Sequence, residues 1–471
     1  MNKRSIGFYI LILLIMFFFL ILKDSNAQTF DTAYARKLQN AVNTLRANNS
    51  IVGMSAAVYV PGQGTWVGTS GITEPAVNIT PEMVFAIGSV TKNFVSALIL
   101  QLVEQDSLSL DDPIYKFLPR YNNIDSNITI KRLLNHTSGI YNYTDNSSYL
   151  SAINSNMGRY WEPEEALPYV LAPYFAQGAG WRYSNTNYLL LAMIVKKIMG
   201  HHIRDEFHSR FFTPLQMTGS FLEVHDTLNV PFVHNWVDLN GDGVLDDASF
   251  IPQTAFASST IGAGGIISRP ENLLIWIKNL YKPGRILSQS SINLMTTFVN
   301  ASISGANGYG LGTMRYNVGG KICWGHAGNS FGHSTVVMSY PQDTVCISLM
   351  MNIDINTGAV ATSFMNTVLN NRPIGIQNIS TINPAGYNIY QNYPNPFNPE
   401  TNIKFDVPSK SEVKLTIFDA LGKEVQNVFT GNLNAGTYSY KWNASAFPSG
   451  IYFYKLQADN FFEVRKMSLV K

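Results

Sequence analysis

The chain has 471 residues, 46% of them hydrophobic and 14% charged, and a net charge of +2. That length supports more than one domain with ample core. A near-neutral charge without any run of Lys and Arg gives no electrostatic case for nucleic acid or an acidic membrane surface.

In chain order, MNKRSIGFYILILLIMFFFLILKDSNAQ comes first. Lys3 and Arg4 precede an apolar run from Ile6 to Leu22, and Ser25-Asn26-Ala27 offers small residues for cleavage before Gln28. This predicts a signal peptide over residues 1–27. The run also approaches the length of an uncleaved spanning anchor. No later stretch is apolar enough to span a bilayer. From Gly53 to Thr73, SAAVYV and TWVGTS flank PGQG and predict a hairpin.

Residues 85–105, FAIGSVTKNFVSALILQLVEQ, repeat apolar residues at Phe94, Val95, Leu98, Ile99, Leu102 and Val103, one stripe of an amphipathic helix. Lys92 lies one turn after Ser89 on the same face. A cation in a first turn opposes the helix dipole, at a cost of about a few tenths of a kcal/mol. Such a lysine needs a reason beyond helix stability. Ser-x-x-Lys alone is weak, since Ser411 and Lys414 repeat it in a predicted C-terminal strand, where both read as surface residues. Tyr183-Ser184-Asn185 precedes an apolar helix in GWRYSNTNYLLLAMIVKKIMG. Tyr-x-Asn is weaker still, recurring at Tyr121, Tyr390 and Tyr393. VDLNGDGVLDD imitates the start of a calcium loop with Asp238, Asn240, Asp242 and Gly243, but its twelfth position is Ser249 rather than Glu. It is expected to be an Asx-rich turn without metal.

Helical and loop-rich sequence runs from about residue 82 to 300. KICWGHA, HSTVVMSY and TVCISLMM then predict three successive strands of a meander, followed by the helix GAVATSFMNTVLNN. His326-Ala327-Gly328 ends the first of these strands. Cys323 and Cys346 would lie two strands apart, roughly 9 to 10 Å, too far for a disulfide, so two free thiols are expected. A Pro- and Asn-rich shift near Arg372 predicts a linker over 373–386. Short alternating runs such as EVKLTIFDA, GTYSYKW and GIYFYKLQA, separated by turn residues, predict a small β-sandwich at the C-terminus.

Taken in order and context, FAIGSVTKNF, ITIKRLLNHTSGI, YSNTNYLLLAMIV, GAGGIISRPENLLIWIKNL, YGLG and the His-Ala-Gly stretch resemble the serine β-lactamase and penicillin-binding protein superfamily. The branch is that of class C β-lactamases, D-alanyl-D-alanine carboxypeptidases and related esterases. The likeness spans roughly residues 33–370. It implies an α+β fold, a β-lactamase-like antiparallel sheet with a helical domain, within a hydrolase domain over 28–372. It also implies an acyl-enzyme on Ser89, helped by Lys92 and by Tyr183 as general base, its pKa lowered by Lys92 and a protonated His326. Asn185 would bind the substrate amide carbonyl and help hold Lys92. His326, Gly328 and Asn329 would line the substrate site, and the backbone N–H groups of Ser89 and Asn329 would form an oxyanion hole. His136 of NHTSGI is expected to be structural. No cofactor or metal is implied.

Many β-lactamases of this superfamily have Lys-Thr-Gly where this chain has His326-Ala327-Gly328. Histidine is only partly charged near neutral pH, which favours a peptidase or esterase over an antibiotic-degrading enzyme. YQNYPNPFNPETNIKFDVPSKSEVKLTIFDALGKEV, continued by FPSGIYFYKLQADNFFEVRKMSLVK, resembles the sorting domain of the type IX secretion system over 387–471. That likeness implies the secretion machinery as a partner and the outer surface or medium as destination. The expected protein is therefore a secreted serine hydrolase taking a small-molecule or peptide substrate, monomeric by default. A class C-type β-lactamase and a non-catalytic surface binding protein stand as alternatives.

Overall fold

The structure, a computed structural model, describes residues 30–61, 63–372, 376–380, 382–445 and 447–471. The expected signal segment lies outside the described residues. No described helix is long and apolar enough to cross a membrane. Two compact units are present, one built from Thr32–Pro61 and Thr65–Arg372, the other holding the C-terminal strands.

The first unit is organised by one antiparallel sheet. Its strands are β1 (Gly53–Val60), β2 (Gly64–Glu74), β3 (Val77–Asn78), β4 (Val299–Ile303), β5 (Ala306–Tyr309), β6 (Met314–Val318), β7 (Lys321–Ser330), β8 (His333–Tyr340) and β9 (Val345–Met351). They lie in the order β3-β2-β1-β9-β8-β7-β6-β5-β4. The N-terminal hairpin thus adds to the C-terminal meander, with Met54 opposite Met351 and Tyr59 opposite Cys346. Cys323 and Cys346 lie two strands apart as expected, both buried and free. Burial pushes each thiol pKa up to about 12.

Five helices matter here: α1 (Thr32–Asn48), α2 (Thr91–Glu104), α3 (Asn185–Met199), α4 (Pro270–Leu280) and α5 (Thr357–Asn371). α4 packs on β1, β8 and β9, while α5 packs on α1, β6 and β8. Strands β8 and β9 are buried along their whole length. Cover on both faces explains why they read as nearly continuous apolar runs rather than alternating ones.

α2 is the core helix of the unit. The expected stripe is buried at Phe94, Val95, Leu98, Ile99 and Leu102, with Val103 half-buried, but Lys92, Asn93 and Ser96 are buried too. Burial on nearly every face, rather than one stripe, marks a helix enclosed by its neighbours. Phe94 stacks on Trp276 of α4, ring centroids 3.7 Å apart, with Phe207, Phe211 and Phe212 edge-on around it. Trp276 Nε1 donates to Asn93 Oδ1 at 2.9 Å, and Asn93 Nδ2 donates to the Gly312 carbonyl at 2.8 Å. Each buried aromatic side chain of this kind contributes about 1.5–3 kcal/mol.

The Asp238 loop is an Asx-rich turn. Asp238 accepts from the backbone N–H groups of Gly241, Asp242 and Gly243 at 2.7, 3.1 and 2.9 Å. Local side-chain bonds of this type replace secondary structure in tight turns.

The C-terminal unit is a two-sheet sandwich. One sheet runs Gln377–Ser380, Gly436–Asn443, Glu400–Val407, Asn388–Ile389; the other runs Glu424–Leu433, Ser411–Asp419, Gly450–Ala458, Phe461–Leu469. Alternation puts Tyr438, Tyr440 and Trp442 inward, against Leu415, Ile417 and Tyr454. Two expectations need correction. Residues 377–380, assigned to a linker, form a strand paired with Gly436–Asn443. Ser411, expected at the surface, is buried and donates to the Ser409 carbonyl at 3.0 Å.

Candidate active site

Ser89 sits in a 3-10 turn, Gly88–Val90, directly ahead of α2. The α2 cap position is Val90, and no side chain caps the helix. The Ser89 hydroxyl is therefore not occupied as a helix cap. Two glycines clamp this turn against the end of β7. A Cβ on Gly328 would lie 2.1 Å from the Ile87 oxygen and 2.7 Å from the Ser89 nitrogen. A Cβ on Gly88, whose φ is +49°, would lie 2.3 Å from the Asn329 oxygen. Only glycine permits this approach, which brings the backbone of Ser89 beside that of Asn329.

Lys92 lies beneath Ser89, fully buried. Its Nζ is 3.0 Å from Ser89 Oγ and 2.7 Å from the Ala263 carbonyl. Burial holds its pKa well below the usual lysine value, because desolvation disfavours the charged form. A carbonyl only accepts. The amine therefore donates to Ala263 and faces the Ser89 hydroxyl as its second partner.

Tyr183 lies next to Lys92, whose Nζ is 4.9 Å from the ring centroid. Its hydroxyl is buried without an aligned hydrogen-bond partner. Burial raises its pKa, with the neighbouring Ser89 hydroxyl opposing the rise. This corrects the expected phenolate. Burial also lowers the pKa of Lys92 and of His326, and neither is among the influences on the Tyr183 hydroxyl.

His136 fixes the segment carrying Tyr183. Its Nδ1 accepts from Ser184 N at 3.2 Å and faces Asn187 Nδ2 at 3.0 Å, and its ring lies 4.3 Å from that of Tyr183. Burial, with Lys92 nearby, keeps it neutral. It acts as a positioning residue. Asn185 follows at the start of α3. Its Nδ2 donates to Thr144 Oγ1 at 2.9 Å, and its Oδ1 is buried without a partner. It makes no bond to Lys92, whose partners are Ser89 and Ala263.

His326 also departs from expectation. Its side chain is fully buried, with Nε2 2.8 Å from Tyr309 Oη and Nδ1 2.6 Å from the Ala327 carbonyl. Nδ1 must donate to that carbonyl, so Nε2 accepts from Tyr309. Burial and Lys92 push its pKa down to about 3. With both nitrogens engaged it offers nothing to a substrate carboxylate.

An open cleft of about 420 Å³, solvent included, is lined by Ser89, Asn185, Glu223, Phe256, Asn329 and neighbours. Of the sequence-predicted residues, Ser89, Asn185 and Asn329 reach it, Lys92 and Gly328 support it, and His326 does not open to it. Sequence reasoning missed Ala263, which acts through a carbonyl that any residue has. It also missed Glu223, which no motif flags.

Comparison with known proteins bears on the family and the fold. The family model described as beta-lactamase matches residues 38–368. One described as a secretion system C-terminal sorting domain matches residues 391–470. Penicillin-binding protein 4 of Amycolatopsis lactamdurans is 26% identical over 352 residues, covering 69% of this chain and 86% of the relative. A D-stereospecific amidohydrolase from Streptomyces sp. superposes with a TM-score of 0.62 at 27% identity, covering 70% of this chain and 98% of that one. D-amino acid amidase from Ochrobactrum anthropi SV3 superposes with a TM-score of 0.64 at 23% identity, covering 72% and 99%. It is a likeness of fold alone. A family match across most of the hydrolase-like unit, over a serine and a buried lysine one turn apart, means that the chain belongs to the beta-lactamase family and carries a secretion-system sorting domain at its C-terminal end.

Proposed function

We propose that this protein is an exported serine hydrolase that forms an acyl-enzyme on Ser89 and acts on D-amino-acid amides or esters. The observation carrying this reading is the 3.0 Å contact between Ser89 Oγ, which lines an open cleft, and Lys92 Nζ buried beneath it. Neutral Lys92 takes the Ser89 proton as Oγ bonds to the substrate carbonyl carbon. The backbone N–H groups of Ser89 and Asn329 receive the charge on the carbonyl oxygen; losing one such donor costs about 10²–10³ in rate. As the bond to the leaving group breaks, Tyr183 gives its proton to that group and is reprotonated by Lys92. Water then releases the acyl group.

Electrostatics narrows the substrate. Among the described residues, no Lys, Arg or His side chain lines the cleft, and neutral His326 points elsewhere. A β-lactam or a carboxypeptidase substrate presents a carboxylate that would find no cation. This favours amides and esters over both, and the D-specific similar structure points the same way. The sorting domain supports export to the cell surface or medium. The test compares turnover of D- and L-phenylalanine amide, a D-Ala-D-Ala peptide and a chromogenic cephalosporin. D-phenylalanine amide should lead its enantiomer by about tenfold or more in kcat/KM. Faster turnover of the cephalosporin would reverse the assignment.

A further inference from the structure

We infer that the preferred acyl donor carries a protonated amine, and that the Glu223 carboxylate in the Ser89 cleft is the subsite that holds it. This rests on the reading of Ser89 as the acylated residue. Glu223 directly follows the short strand Phe221–Leu222. Its backbone N–H donates to the Gly265 carbonyl at 2.7 Å, which ties it to the loop whose Ala263 carbonyl receives Lys92. Its side chain lines the same cleft as Ser89.

The carboxylate has no ion pair or hydrogen bond among the described residues, and burial alone pushes its pKa up to about 7. Two other carboxylates of this unit are partnered. Asp226 meets Arg204 Nε at 2.5 Å and His208 Nε2 at 2.8 Å, and Glu206 meets His201 and Arg210. Glu223 is half-buried, and an acid in a cleft without a counter-charge marks a functional position. Asn185 Oδ1 in the same cleft is a buried acceptor without a donor. Two unmet acceptors and no cationic side chain call for donors and positive charge from the ligand. An ammonium supplies both. A metal ion requires more hard ligands than this single carboxylate provides. An α-amine with a pKa near ~7.7–8.0 is charged at neutral pH, and its approach favours the carboxylate form of Glu223.

The test uses full-length Ser89→Ala, which cannot turn over, and calorimetry at pH 7. D-phenylalanine amide is compared with N-acetyl-D-phenylalanine amide, whose amine is blocked. The free amine should bind about tenfold or more tightly. Adding Glu223→Gln should bring the two Kd values to within about twofold. Adding Glu223→Leu, of similar size at a half-buried position, should do the same and guards against a folding artefact. Equal binding before the second substitution, binding of neither ligand, or a preference that survives both substitutions would overturn the inference. Acylation of the wild-type chain by a neutral ester reads the Ser89 assignment separately, so the two failures are distinguishable.

Discussion

Lys92 is the residue through which the chemistry is most exposed to test. A lysine at its ordinary pKa is charged at pH 7 and cannot accept a proton. Burial lowers the pKa of Lys92, which raises the share of free amine at a given pH, and that share is lost as pH falls through the lowered value. Lys92→Met should slow acylation by about 10²–10⁴. Lys92→Arg should not restore it, since a guanidinium stays charged. Because His326 has its pKa near 3, the rate of acylation against pH should show no step near 6.5 that His326→Gln removes. Pre-steady-state ester hydrolysis across pH 5–9 reads all three. The serine and lysine were legible in the sequence because a cation in a first turn defies the helix dipole. The environment was not: spacing does not reveal that His326 turns its ring to Tyr309, or that Asn185 spends its Nδ2 on Thr144.

At the scale of elements, the site is a contact between a turn and a strand. The hairpin, the meander and the helix behind them were readable from alternation and turn residues, because those patterns are local. Glu223 and the Ala263 carbonyl were not, because long-range packing alone brings residues 223 and 263 to residue 89. The close approach at Gly328 makes a sharp prediction. Gly328→Ala would force its Cβ against the Ile87 oxygen and the Ser89 nitrogen. It should lower stability by about 1–3 kcal/mol and lose most acylation, read by thermal melting and ester turnover. The buried histidines predict an acid limb of stability. Burial pushes His326 and His333 down from 6.5 to about 3 and about 4. A base with a depressed native pKa binds fewer protons folded than unfolded, so its stabilising contribution is full above about 6.5 and is lost as pH falls toward those values. Glu223, raised to about 7, acts oppositely, losing its contribution as pH rises through 7. Melting temperature should therefore fall steadily from pH 6.5 to 4, and a flat profile there would contradict the burial.

Over the whole molecule, each of the two units has a hydrophobic core of its own. One surrounds Phe94 and Trp276, the other Trp442 and Tyr454. Separate cores predict separate cooperative unfolding. Calorimetry of the full chain should resolve two transitions, and Trp442→Ala should lower one of them while leaving ester turnover intact. The C-terminal sandwich was legible, because each strand alternates on its own. The strand at Gln377–Ser380 was hidden, because its Pro- and Asn-rich surroundings carry the composition of a linker. The central claim is the Ser89 acyl-enzyme. The direct measurement mixes the protein with p-nitrophenyl acetate, a neutral ester, and follows intact mass and p-nitrophenolate release beside Ser89→Ala. One acetyl group per chain on Ser89, with none on the variant, is the predicted result. Turnover that persists in Ser89→Ala, or neither adduct nor release from the wild-type chain, would contradict it.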